Sequence, residues 1–469
     1  MGFMSARELA GLIRRGQISA REVMRVHLEQ INRVNPLVNA IVSKLPDDDC
    51  LRLADEADRR LARGDTVGPL HGLPIAFKDN QPAIGFPCTR GSRIFAHDIS
   101  DTDSVFIARL RAAGVVPIGK TNIPEFAMGS HTYNALFGPT LNPYDVTRSA
   151  GGSSGGAAVA VATGMLPIAD GNDLGGSLRN PANFNNLVAL RPSMGLVPTA
   201  PDPFPGLGFN VNGPLARSVS DVALLMQAMA GPDPNDPACF ASDPSVFARP
   251  LDRDVRGTRV AWCLDLGGLP VDRRVRQVIE RQRQTFESLG CIVEDACPDM
   301  SGADEIFLTI RAWRTAAVLG PLVAEHRHLM KPEAIAEIER GRRVTREQVD
   351  QALVRHRGFV DGIRRFQERF PFTVCVVNQV PPFDIETSWP ATIEGVAMSN
   401  YVDWMKSAYW ISTTLCPAIS VPAGFTDEGL PVGLQIVGRY QDDFGVLQIA
   451  YAFEQATRFG ERRPSIAVR

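Results

Sequence analysis

Two short stretches gather the residues whose types could do chemistry together. One is Gly151-Gly152-Ser153-Ser154-Gly155-Gly156, and the other is Asp173-Leu174-Gly175-Gly176-Ser177-Leu178-Arg179-Asn180-Pro181. Both read as Gly/Ser-rich loops, and they flank a run of small residues that includes Ala157, Ala158, Ala160 and Ala162. Glycine opens backbone angles closed to other residues and lets a ligand approach the main chain. Successive N–H groups around such a loop form a nest for an anion, which is what an oxyanion hole requires. Ser177 stands beside this nest, where a nucleophile is needed. A serine hydroxyl attacks poorly without a base, and no histidine lies in either loop. Lys78 ends the apolar run Gly72-Leu73-Pro74-Ile75-Ala76-Phe77. Burial at that position favours the uncharged amine. Bringing a lysine from about 10.4 to near 7.5 takes ~4 kcal/mol of differential environment, an amount that burial and hydrogen bonds from serine hydroxyls can supply.

Taken singly, each of these features has a plainer reading. Gly/Ser loops are more often connections or phosphate cradles than nucleophile sites. The phosphate version weakens because no G-x-x-x-x-G-K-[ST] pattern follows and neither loop contains a lysine. A lone lysine after an apolar run is ordinarily a solvated strand end. Asp173 and Arg179 read as an ion pair bracing a turn.

The elements that must position these residues follow from local pattern. Ser5-Ala-Arg-Glu8 and Ser19-Ala-Arg-Glu22 both read as capping boxes ahead of apolar residues at helical spacing. Pro36 is expected to close the second helix. A charged helix is expected near 49–63, a strand ending on Lys78, a helix near 102–113 and a strand at 115–119. This order suggests βαβ-type layering. Residues 129–156 read as loop, and Gly155 to Gly164 as a buried small-residue helix. From about 235 to 370 the chain is charged and helical, with strand-like pieces at 258–264 and 291–294. The tail reads as strand, turn, strand and final helix.

Bulk properties narrow the field. The chain has 469 residues, 44% apolar and 22% charged, with 49 basic and 52 acidic side chains and a formal net charge of −3. That composition buries a large core, and its balance of charge argues against nucleic acid or an anionic membrane as a partner. The eight cysteines show no C-x-x-C spacing and read as small buried residues in a reducing compartment. No metal site is expected from the scattered histidines and cysteines, and no cofactor is implied. Neither a signal peptide nor a membrane-spanning helix is expected, so the default location is cytoplasmic.

Together these residues resemble the amidase signature enzymes, a family of serine amidohydrolases. Gly151 through Ala182 is similar to the family's signature stretch, and Ser153 and Ser177 have the separation of its paired serines. His71-Gly72-Leu73-Pro74-Ile75-Ala76-Phe77-Lys78-Asp79-Asn80 resembles the segment that bears its lysine. Lys120 to Phe126, Phe137 to Pro143, Pro417 to Gly424 and Gly429 to Gln435 extend the likeness, which covers roughly 1–235 and 375–460 and is weak across 240–370. The resemblance implies an α/β amidase signature fold, with a large mixed β-sheet core sandwiched between helices. It implies a single amidase domain over 1–469, with its core at about 60–235 and 375–465 and a helical, divergent cap or insertion at about 240–370. It also implies roles. Ser177 is the acyl-accepting nucleophile, Ser153 relays the proton on a cis peptide bond, and Lys78 is the neutral base. The N–H groups of Leu174, Gly175, Gly176 and Ser177 form the oxyanion hole, while Asp173 and Arg179 support the loop. Met128, Gly129 and Asn180 line the substrate site. The expected reaction is cleavage of a small acyl amide, aryl amide or carbamate-like compound, with a small amide and water as partners and a homodimer as the assembly. The alternative is the glutaminase component of a tRNA-dependent amidotransferase. Asp170 and Asn172 depart from the family's usual residues. Loops near 126–134, 201–212 and 380–412 are expected to set specificity. Phe204, Phe209, Trp389 and Trp404 are candidate pocket aromatics, although core or lid packing is the favoured reading for them.

Overall fold

Helix α1 (Ala6–Arg14) starts where the Ser5 hydroxyl accepts the Glu8 N–H. Helix α2 (Ala20–Val38) starts on the full Ser19/Glu22 capping box. The expectation that Pro36 closes α2 fails. The helix continues to Val38 and ends at Asn39 in the left-handed region (φ 53°). A proline in the last turn forfeits only its own helical donor, and the Asn39 N–H still reaches the Asn35 carbonyl at 2.8 Å.

The computed structural model describes residues 1–468. A first, three-stranded sheet contains β1 (Ile41–Lys44), β2 (Pro74–Lys78) and β3 (Val116–Thr121) in the order β1-β3-β2, with β2 parallel to β3. Helices α3 (Asp47–Ala62) and α4 (Val105–Ala112) intervene in sequence. The 129–156 stretch is mostly loop, as expected, but carries a short hairpin of β4 (Leu141–Asn142) and β5 (Asp145–Ser149). Helix α5 (Gly155–Ala162) is buried along its whole length. Its small residues have a steric reason. A Cβ on Gly156 would stand 2.3 Å from the Asn122 nitrogen and 2.5 Å from the Ala40 oxygen.

The second sheet has eight strands. From the first half of the chain come β6 (Ile168–Asp173), β7 (Val188–Arg191) and β8 (Val211–Ala216), with α6 (Arg179–Phe184) between β6 and β7 and α7 (Val219–Met229) after β8. Next come β9 (Arg259–Trp262), α8 (Arg273–Glu280), α9 (Arg283–Ser288) and β10 (Ile292–Asp295). Helices α10 (Ala303–Leu319), α11 (Val323–His326), α12 (Pro332–Arg342) and α13 (Arg346–Arg369) follow, and then β11 (Phe372–Val376). The hairpin β12 (Thr392–Ile393) and β13 (Val396–Ala397) stands apart. Helix α14 (Lys406–Thr413), strands β14 (Ala418–Phe425) and β15 (Pro431–Val437), and helices α15 (Asp443–Thr457) and α16 (Ser465–Val468) complete the fold. The sheet order is β10-β9-β11-β15-β14-β7-β8-β6. The β10–β9 and β9–β11 pairs are parallel and the others antiparallel. Two strands of the 240–370 region therefore extend this sheet, and α10 to α13 make up most of its helical part.

Both faces of the large sheet are covered. Ile419 and Val421 of β14 pack in the core layer that holds α7 and α15, while Ala418 packs in the layer that holds Phe307 of α10 and Tyr409 of α14. That alternation is the two-residue period of a strand buried on both sides.

Two expectations need correction. Cys263 and Cys297 form a disulfide with Cα atoms 5.0 Å apart, so this pair is not made of isolated thiols. Parallel pairing sets Trp262 opposite Asp295 and so brings together residues 34 apart in sequence. In addition, the run Ala303–Leu329 is long and apolar enough by composition to cross a bilayer. Here Ala303, Ile306, Phe307 and Ile310 of that run are buried in the core.

Candidate active site

Lys78 is the last residue of β2, and β2 is the edge strand of the small sheet. Its side chain is fully buried. The amine lies 2.8 Å from the Ser153 hydroxyl, and Asn172 Oδ1 accepts a second amine hydrogen. Burial pushes the Lys78 pKa down from the ordinary lysine value to about 7, against the pull of the Asp170 and Asp173 carboxylates. Near neutral pH a large fraction of this amine is therefore uncharged. With one hydrogen held by Asn172, the lone pair of the neutral amine is free to face Ser153.

Ser153 follows a cis peptide bond from Gly152 and precedes α5. The turn is fixed from outside: the Thr132 hydroxyl and N–H both donate to the Gly151 carbonyl, at 2.8 and 3.1 Å. Gly155 has no room for a side chain, since a Cβ there would stand 2.3 Å from Thr132 Oγ1. The Ser154 N–H donates to the Ser177 carbonyl at 3.2 Å and ties the two loops together. Ser153 and Ser177 both line one cavity of about 420 Å³. Among the described residues no direct hydrogen bond joins their hydroxyls. Such contacts commonly tighten only when substrate is bound.

The loop after β6 is organised by Asp173. Its carboxylate accepts from the Gly176 N–H at 2.8 Å and the Leu178 N–H at 3.2 Å. It also pairs with two fully buried guanidinium groups, Arg179 at 2.9 Å and Arg191 at 3.2 Å. Burial alone would raise the Asp173 pKa, but the two arginines and these donors outweigh it and hold the carboxyl well below its usual range. Arg179 continues to Gln435 Oε1, the Ala408 carbonyl and the Ser412 hydroxyl, so the loop is anchored to β15 and α14. Arg191, at the end of β7, is a site residue that the sequence does not single out. Its only signal there is a charged residue closing an apolar strand.

The four residues expected to offer N–H groups divide three to one. Leu174, Gly175 and Ser177 line the cavity, and among the described residues their N–H groups have no protein acceptor. Gly176 (φ 111°) turns its N–H to Asp173 instead. Of the residues expected to touch substrate, Met128 and Gly129 line the cavity. Asn180 does not. It lies behind the loop against Gly176, and its amide donates to Ser130 Oγ at 2.8 Å. As the second residue of α6, its side chain is directed by that helix and away from the cavity.

The cavity has two kinds of wall. Phe126, Met128, Leu174, Phe307, Leu319 and Met405 give an apolar side, and Asn80, Gln81, Asn172, Asn210 and Asn212 a polar one. Phe126 and Ala127 hold left-handed backbone angles (φ 54° and 56°), a strained turn of the kind that clusters at functional sites. Of the aromatics considered from sequence, Phe209 and Trp404 are core residues and Phe204 packs on Trp313 at 5.0 Å. None of those three, nor Trp389, lines this cavity. Helix α10 supplies wall residues that sequence reasoning misses. Arg314 pairs with Asp202 at 2.8 Å, and Arg311 binds the Tyr401 hydroxyl and Glu337.

Comparison with known proteins agrees with this geometry. The family profile described as Amidase matches residues 22–447. An acylamidase from Rhodococcus erythropolis is 34% identical, over 99% of this chain and 97% of that protein. The glutamyl-tRNA(Gln) amidotransferase component of this type from Cupriavidus necator is also 34% identical, over 99% of this chain and 98% of its own. The solved structure of a bacterial aryl acylamidase of the amidase signature enzymes superposes with a TM-score of 0.91 at 29% identity, covering 99% of this chain and 98% of that one. The chain belongs to the amidase signature family and is a hydrolase of amide C–N bonds.

Proposed function

We propose that the protein hydrolyses small acyl or aryl amides through an acyl-enzyme on Ser177. The observation that carries this reading is the buried Lys78 amine 2.8 Å from Ser153, in a cavity that Ser153 shares with Ser177. In this reading Ser177 Oγ attacks the amide carbonyl. Its proton passes to Ser153 Oγ as the proton of Ser153 passes to Lys78 Nζ. The resulting oxyanion rests against the N–H groups of Leu174, Gly175 and Ser177. As the C–N bond breaks, the Lys78–Ser153 pair returns a proton to the leaving amine. Water then attacks the Ser177 ester by the same route, releasing the carboxylic acid and restoring the hydroxyl.

The apolar wall suits an alkyl or aryl group, and the acylamidase relative supports the same class. The Cupriavidus relative supports the alternative of a glutaminase component, yet an apolar wall is a poor host for the zwitterionic end of glutamine. A homodimer is the assembly we propose, checked by the mass in solution.

A panel of anilides, alkyl amides, carbamates and glutamine, assayed on wild type and Ser177→Ala, tests the proposal. Ser177→Ala should fold and lose turnover by roughly 10⁴–10⁶-fold, and mass spectrometry of the wild type should show the acyl adduct on Ser177. Undiminished turnover by the variant, or ammonia release from glutamine as the main activity, would overturn it.

A further inference from the structure

The small and large sheets meet where β2 and β6 lie side by side, each at the edge of its own sheet. No ladder joins them. One side chain spans the gap: the fully buried Asp170 of β6 accepts the backbone N–H of Lys78 through both carboxylate oxygens, at 3.2 and 3.3 Å. This carboxylate is also the leading negative influence on the Lys78 amine. We propose that Asp170 is a positioning residue for Lys78, holding the end of β2 by its N–H and setting the pH at which the amine becomes available as a base. The inference rests on Lys78 acting as the base, and it adds a residue that the reaction itself does not consume.

The surroundings leave few other groups to do this. Asp173, at the far end of β6, is committed to Arg179 and Arg191. Lys120 of β3 is buried, donates to the Gln81 carbonyl at 2.5 Å, and balances Asp170 and Asp79. The Asp79 carboxylate is taken up by Thr89 and the Gly91 N–H. Helix α5 and strand β8 carry no titratable side chain, and no group of α2 contributes to the field at Lys78. Burial raises the Asp170 pKa to about 6, against the pull of Lys120 and Lys78, so above that pH the group is chiefly a carboxylate.

The sign of the effect follows. A negative charge beside Lys78 favours the ammonium and keeps its pKa from falling further. The free base is the active form, so kcat/KM should rise with pH through about 7 in the wild type. Asp170→Asn keeps an acceptor for the Lys78 N–H and removes the charge. Its acid limb should move down by about one pH unit, the low end for an opposite charge at close range, while the plateau falls less than about tenfold. Asp170→Glu keeps the charge and misplaces the acceptor, so its limb should stay with the wild type while its plateau drops further than that of the Asn variant. A merely structural residue would lower both plateaus and move neither limb.

The test is the pH profile of kcat/KM on one anilide for the wild type and both variants, with thermal melts to confirm folding. An Asn limb that superposes on the wild type overturns the proposal. If Asp170→Asn does not fold, a moved limb in Asp170→Glu overturns it instead. Failure of the underlying reading looks different: Lys78→Ala would then retain turnover, and the wild type would show no acid limb near neutrality.

Discussion

Asp173 is the residue whose loss should cost most. Asp173→Asn would preserve shape but leave Arg179 and Arg191 buried without a counter-charge. Breaking a buried pair in this way typically costs about 3–5 kcal/mol. We expect a urea midpoint lowered by that order and turnover lost with it, because the Gly176 tie that shapes the loop weakens too. A midpoint within error of the wild type would rule out this account of the loop. Ser177, Ser153 and Lys78 are legible as types at a spacing, because a nucleophile, a relay and a buried amine each leave a local signature. What each neighbour does is less legible. Asn172 can be seen as a departure but not as the acceptor that orients Lys78, since that contact joins residues 94 apart. Asn180 is misplaced by sequence reasoning because one helical start decides which way its amide points.

The elements show the same split between local and distant information. The Ser19 cap, β2 and the small-residue run of α5 can be read directly, because capping and periodicity are written in neighbouring residues. Helix α10 can be recognised as helical, yet nothing in its own sequence tells which face walls the cavity. For α5 the reason for small residues emerges only in three dimensions. Replacing Gly156 with Ala gains roughly 1 kcal/mol of helix propensity. The new methyl carbon would meet two backbone atoms at 2.3 and 2.5 Å, and overpacking of that kind costs about 1–3 kcal/mol. Since backbone cannot rotate out of the way, the steric cost should win. Gly156→Ala is expected to lower the melting temperature and reduce kcat by displacing Ser153 at the head of the helix. A stabilised variant with full activity would contradict this.

At the scale of the molecule, the mixed α/β architecture follows from the order of elements and the family likeness, while the strand order does not. Strands β9 and β10 join the sheet through pairings that no sequence window contains, and the Cys263–Cys297 bond depends on them. The junction between the two sheets has a consequence in heat and time. The amine arrives from a three-stranded layer and Ser177 from an eight-stranded one, and strands that share no ladder can slip before either layer melts. Local opening is cheapest where few such bonds must break. On gradual warming the catalyst should therefore fall silent while its circular dichroism is still that of the native fold, and it should regain its rate on prompt cooling. Enzyme that stops working only at the temperature where the dichroism collapses would show that the two layers move as one.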